Sequence, residues 1–134
     1  PFVRGPDMGA GTKLLLRLVF ATRHVRDAAW PPYYKSLVKS PPPDFEEHAR
    51  AMAATLRSDP RRSKALAAMA LADHKHAEVR LGKVGCPVLV VMGAGDPDFP
   101  DPAKEAREVA SLLRGRALVV EGAGHYPHFE KAEE

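Results

Sequence analysis

What this chain has little of narrows it first. One cysteine in 134 residues excludes an internal disulfide and gives no sign of an oxidising compartment. No apolar run approaches the ~20 residues that a membrane-spanning helix needs, and no charged-then-apolar leader is found, so a cytoplasmic location and no membrane partner are expected. There is no internal repeat, and the triple proline at 41–43 is the only low-complexity tract. Two Gly-Ala-Gly triplets, at 93–95 and 122–124, lack the third glycine of a G-x-G-x-x-G that opens a helix, which excludes a dinucleotide fingerprint. His74 and His76, two positions apart, point away from each other on a helix, and no cysteine or carboxylate spacing completes a zinc set. Neither a metal nor a cofactor is expected.

Charge is unevenly shared. Residues 1–86 carry 15 Lys and Arg against 8 Asp and Glu, whereas residues 87–134 carry 5 against 9. A basic surface of this kind can attract nucleic acid, but no aromatic-interleaved basic motif accompanies it. It reads instead as the solvated faces of helices, and no nucleic-acid partner is expected.

The stretch around which the chain is organised runs from Cys86 to Glu130. Residues 88–92 are apolar at every position, as expected of a parallel strand buried on both faces. A loop dense in Gly, Pro and Asp follows, and Asp101 with Pro102 behind it forms a helix N-cap with proline at the first helical position. Ala106, Val109, Ala110 and Leu113 make the apolar stripe of that helix, and Gly115 is its expected stop. Leu118, Val119 and Val120 supply the second strand, so the unit is strand, helix, strand and closes as a right-handed parallel crossover.

In such a sheet the side chains just past the carboxyl ends of neighbouring strands line one crevice. Asp96 and His125 fall there. With strands about 4.8 Å apart, a carboxylate on one loop can accept a hydrogen bond from an imidazole on the next, leaving the other ring nitrogen free as a base. That is the orienting half of a nucleophile-His-acid triad. Each residue also has a plainer reading: Asp96 as the former of an Asx-turn, with Asp98 the alternative acid, and His125 as a loop histidine bonded to backbone. His128 reads as a surface residue at a helix start.

The residues from 86 onward resemble the α/β-hydrolase superfamily of esterases, lipases, epoxide hydrolases and related enzymes. Residues 87–100, PVLVVMGAGDPDFP, are similar to the family's acid-bearing strand and loop, with Asp96 three positions after Gly93. Residues 122–130, GAGHYPHFE, resemble its histidine loop, with Gly124, His125, Pro127 and Glu130 in place, 29 positions separating the acid from the histidine. The resemblance implies that Asp96 and His125 are catalytic. It also departs from the family, whose order is nucleophile, acid, histidine with the nucleophile in a G-x-S-x-G elbow. No such elbow is present: Ser36, Ser40, Ser58, Ser63 and Ser111 lie in helical or proline-flanked contexts, and Cys86 precedes its strand.

The expected fold class is therefore α/β: the C-terminal portion of an α/β-hydrolase fold, with a helical cap over residues 1–85 and a βαβ part of the core over residues 86–134. The chain opens on Pro1 without an initiator Met and holds only two convincing strands, so the expectation is a fragment whose partner is the N-terminal part of the core. The resemblance implies a hydrolase acting on an ester-like small molecule, the fragment alone being inactive. An epoxide hydrolase or dehalogenase with an upstream Asp nucleophile, or a non-catalytic helical binding or scaffold fragment, stays open.

In the helical part, residues 1–4 read as the exit of a strand, and residues 12–24 as a helix apolar around much of its circumference and so buried. A short helix is expected to begin at Pro31 and Pro32. Asp44 is the expected cap of a third helix, with Glu47 completing a capping box and Phe45, Ala49, Met52, Ala53 and Leu56 as its stripe. Asp59 with Pro60 starts a fourth, whose packing face is read as Ala65, Ala68, Met69 and Ala72.

Overall fold

The computed structural model describes residues 11, 14, 18, 22–70, 72, 77 and 79–133. The expected strand exit at 1–4, most of the helix at 12–24, and His74 and His76 lie outside the described residues. Leu14 and Leu18, which are described, stand 59% and 61% exposed, so the burial expected for that helix is not found at either position. Among the described residues the chain is mixed α/β, with five helices and one two-stranded parallel sheet. No helix among them is long and apolar enough to cross a membrane. The chain divides into two compact units, one made of residues 6–35 and 43–73, the other holding the sheet together with residues 36–42.

The helical unit contains α1 (Arg23–Ser36), α2 (Phe45–Ser58) and α3 (Pro60–Ala70). Pro31 and Pro32 lie inside α1 instead of starting a helix. An interior proline removes a helix hydrogen bond and crowds the preceding turn, a cost of about 3 kcal/mol that local sequence alone would not absorb. Tertiary contacts hold α1 on both sides of them. Ahead of them, Arg26 is buried and donates to Ser63, which donates to Asp27. Behind them, the Tyr34 ring packs on Phe45 with centroids 5.7 Å apart.

The stripe of α2 is the one the spacing predicts, with Phe45, Ala49 and Ala53 buried. Its capping box is not formed: Asp44 precedes the helix, but its side chain makes no cap hydrogen bond. Asp59 does cap, its Oδ1 accepting from the Arg61 backbone N–H at 2.8 Å. The face of α3 also differs from expectation. Ala65, Ala68, Met69 and Ala72 are exposed, and Ser63 is the fully buried position, with Leu66 and Ala67 half-buried beside it. The bond network of Arg26, Asp27 and Ser63 sets this rotation, because a buried arginine must be paired.

In the other unit, β1 (Leu89–Gly93) pairs in parallel with β2 (Arg116–Val120), Leu89 opposite Arg116 and Gly93 opposite Val120. The connecting helix α4 (Pro102–Leu112) begins as predicted, Asp101 Oδ1 accepting from Lys104 N at 2.8 Å. Ala106 and Ala110, from the predicted stripe, are buried. Met92, Phe99 and Ala106 form the core, with Val90 and Val119 packed against it. The opposite sheet face is uncovered among the described residues: Leu89, Val91 and Leu118 are 55%, 44% and 45% exposed. Among the described residues the expectation of a strand buried on both faces is thus met on one face only, the face that α4 covers. A four-residue helix, α5 (Pro127–Glu130), follows β2, with His128 exposed on it.

The end of α4 corrects another expectation. Arg114 N bonds Ser111 O at 3.2 Å and Gly115 N bonds Ala110 O at 2.8 Å, which is a Schellman stop with Arg114, not Gly115, in the left-handed position at φ 53°. Gly115 serves a close approach: a Cβ there would lie 2.6 Å from Val88 O. Since a left-handed non-glycine residue costs about 1–2 kcal/mol, only partly offset by the backbone entropy of glycine, Arg114→Gly is expected to raise the unfolding free energy by about 0.5–1 kcal/mol. Asp101→Ala, which removes the cap of the same helix, is expected to lower it by about 1 kcal/mol. Denaturant unfolding of the two variants checks both signs.

Candidate functional site

The parallel pairing does not stop at the ends of the strands. Ala94 N bonds Val120 O at 2.9 Å and Gly95 N bonds Ala123 O at 2.8 Å, so the loop after β1 is stitched to the loop after β2. Gly93 permits this. A Cβ on it would sit 2.0 Å from Gly124 O and 2.5 Å from Ala123 O, so no larger residue fits. The two loops therefore run side by side, and each delivers one side chain of the predicted pair.

Asp96 is 5% exposed. Its Oδ1 accepts from Asp98 N at 3.0 Å, which is an Asx-turn, and its Oδ2 lies 2.9 Å from His125 Nδ1. The turn-forming and imidazole-bonding readings of this residue are both realised, one oxygen to each. Asp98 Oδ2 stands farther off, 3.8 Å from the same nitrogen and beyond a hydrogen bond, on a side chain 35% exposed.

His125 is held at three points. Its backbone N–H donates to Leu37 O at 2.9 Å, its ring meets Tyr126 edge-on at a centroid distance of 5.0 Å, and Nδ1 faces Asp96. A hydrogen on Nδ1 directed at the carboxylate leaves the lone pair on Nε2. That nitrogen has no hydrogen-bond partner among the described residues, and the side chain is 20% exposed. The Asp96 hydrogen bond raises the pKa of His125 above the ordinary histidine value; burial opposes this, and the charges of Asp96 and Asp98 reinforce it. The result is an imidazole oriented by a carboxylate, with Nε2 unbonded among the described residues.

Glu130, quoted in the sequence only as the end of the histidine loop, is buried beneath that loop. Its carboxylate accepts from the backbone N–H groups of Gly124, Tyr126, Lys39 and Ser40. Burial pushes its pKa up, but the N–H donors of Ser40, Gly124, Lys39 and Tyr126 outweigh burial and hold it below the ordinary glutamate value. Residues 37–40 also belong to this environment through Leu37 O and through Ser40 Oγ, which donates to Gly122 O at 2.7 Å. Their backbone groups carry no residue identity, so only the prolines at 41–43, which bias the residue before them toward extended geometry, hint at the role.

No serine hydroxyl among the described residues bonds His125: that of Ser40 goes to Gly122 O, that of Ser58 to Thr55 O and that of Ser63 to Asp27. Cys86 is exposed and precedes β1, at the far end of the strand from Asp96. Asp96, Asp98 and His125 offer three ligand atoms within 4.8 Å of one another, the one set among the described residues close enough to hold a metal. Because His125 Nδ1 already lies at hydrogen-bond distance from Asp96, the same geometry is complete without a cation.

The raised pKa carries a sign. His125 gains its partner in the folded state, so its contribution to stability is full below the unfolded-state pKa and is lost as pH rises through the folded-state value. NMR titration is expected to place the His125 pKa above the ordinary histidine value, and Asp96→Asn to bring it down. The stability advantage of the wild type over that variant should shrink as pH rises through the His125 titration and level off above it. A His125 pKa unmoved by Asp96→Asn would show that the bond to Asp96 does not set it. Compared with protein-family models, with curated proteins and with solved structures, the chain returns no match.

Proposed function

We propose that this chain is the acid-and-histidine part of an α/β-hydrolase that cleaves an ester-like small-molecule substrate. The observation that carries the reading is the 2.9 Å contact of His125 Nδ1 with buried Asp96 at the ends of two adjacent parallel strands, with Nε2 left open. In this reading Nε2 takes the proton of a nucleophile, or of the water that releases the ester intermediate, and Asp96 holds the tautomer and stabilises the imidazolium that forms. The nucleophile and the oxyanion donors come from an N-terminal part of the core. The apolar face of Leu89, Val91 and Leu118, exposed among the described residues, supports that division, since a two-stranded sheet buries too little alone. The helical unit is read as the cap region of such an enzyme, and the location as cytoplasmic.

The chain alone is expected to show no ester turnover above buffer. A longer product of the same coding region, carrying a strand followed by G-x-S-x-G, is expected to hydrolyse a chromogenic ester and to lose roughly 10²- to 10⁴-fold in kcat on His125→Ala. Undiminished turnover in that variant would remove the role given to His125. An aspartate in place of the elbow serine would direct the assay to epoxides and alkyl halides.

A further inference from the structure

Glu130 is not accounted for by the pairing of His125 with Asp96. An ionised carboxylate is acceptor-only, with about four lone-pair sites, and here four backbone N–H groups converge on it. Oε2 takes Lys39 N at 2.6 Å and Ser40 N at 2.8 Å, Oε1 takes Tyr126 N at 3.2 Å, and Gly124 N lies 3.0 and 2.9 Å from the two oxygens. No Lys, Arg or His among the described residues forms an ion pair with it, and the hydrogen bonds it accepts there come from peptide N–H groups.

The positions of those donors matter more than their number. Gly124 and Tyr126 are the residues on either side of His125, and His125's own N–H is taken by Leu37 O. Three consecutive peptide N–H groups are thus pinned, two to Glu130 and the middle one to a segment that Glu130 also binds through Lys39 and Ser40. The backbone that carries the imidazole has little freedom left to turn it away from Asp96.

We infer that Glu130 is the positioning residue for His125, acting through the backbone on both sides of it and through the 37–40 segment. It forms no hydrogen bond with the His125 ring, whose Nδ1 faces Asp96. The inference rests on the reading of His125 as an oriented base, since only then does the angle of the ring matter. A glutamine cannot replace it: one oxygen becomes an NH₂ group that faces backbone N–H donors instead of accepting from them.

The test is the tautomer of His125 in Glu130→Gln, read from the ring ¹⁵N shifts of the 134-residue chain at a pH above the imidazole titration. Direct charge effects of Glu130 on protonation do not enter there, because the ring is neutral in both proteins. The wild type is expected to hold the Nδ1–H tautomer, and Glu130→Gln to shift most of the population to Nε2–H, the shift also expected of Asp96→Asn. A variant that is less stable but keeps the Nδ1–H tautomer overturns the inference, because its role would then be merely structural. If the variant does not fold, amide hydrogen exchange in the wild type decides: Lys39, Ser40, Gly124, His125 and Tyr126 are expected to open as one unit, and fast, independent exchange of Gly124 or Tyr126 overturns the clamp. Neither readout needs turnover, so a failed hydrolase assay leaves this result standing, and a retained tautomer in an active enzyme removes this inference alone.

Discussion

The parallel pairing of β1 with β2 is the constraint on which the site depends. Each strand is five residues long, and backbone bonds of Ala94 to Val120 and of Gly95 to Ala123 join the loops that follow them. Had the pairing ended at Gly93, Asp96 and His125 would sit on two independent loops and pay separately for their order. Instead the ladder brings their backbones close enough that one hydrogen bond joins the side chains. Gly93 makes this possible by subtraction, since any side chain there would collide with the carbonyls of Ala123 and Gly124.

Two buried carboxylates then divide the work of ordering. Asp96 spends one oxygen on its own turn and one on the imidazole, so the loop shape and the tautomer are set by the same group. Among the described residues Glu130 accepts from backbone alone, and by doing so joins segments about ninety positions apart in the chain. Both carboxylates are buried, and each has hydrogen-bond partners on both of its oxygens. That arrangement limits the cost of removing a charge from water.

The helical unit illustrates the competition between local preference and tertiary contact. Propensity places Pro31 and Pro32 at a helix start, yet α1 runs through them, held ahead by the network of Arg26, Asp27 and Ser63 and behind by Tyr34 against Phe45. Asp44 has the composition of a cap without making the bond, while Asp59 has both. On α3 a buried serine outranks a row of alanines, because alanine spacing says which face could pack closely and the buried arginine says which face must.

What the sequence by itself determined was local and ordered along the chain: the βαβ succession, the start of α4 at Asp101, the stripes of α2 and α4, and the placement of Asp96 and His125 just past two strands. These signals lie within a few residues of the features they specify, so they can be read without the fold. The tertiary structure decided the rest: which oxygen of Asp96 faces the ring, that Arg114 takes the left-handed position, that no described residue covers one sheet face, and that residues 37–40 and Glu130 hold the histidine loop. The physical reason is that backbone N–H and C=O groups are the same in every residue except proline. Which of them meet across the chain is chosen only when the chain has folded.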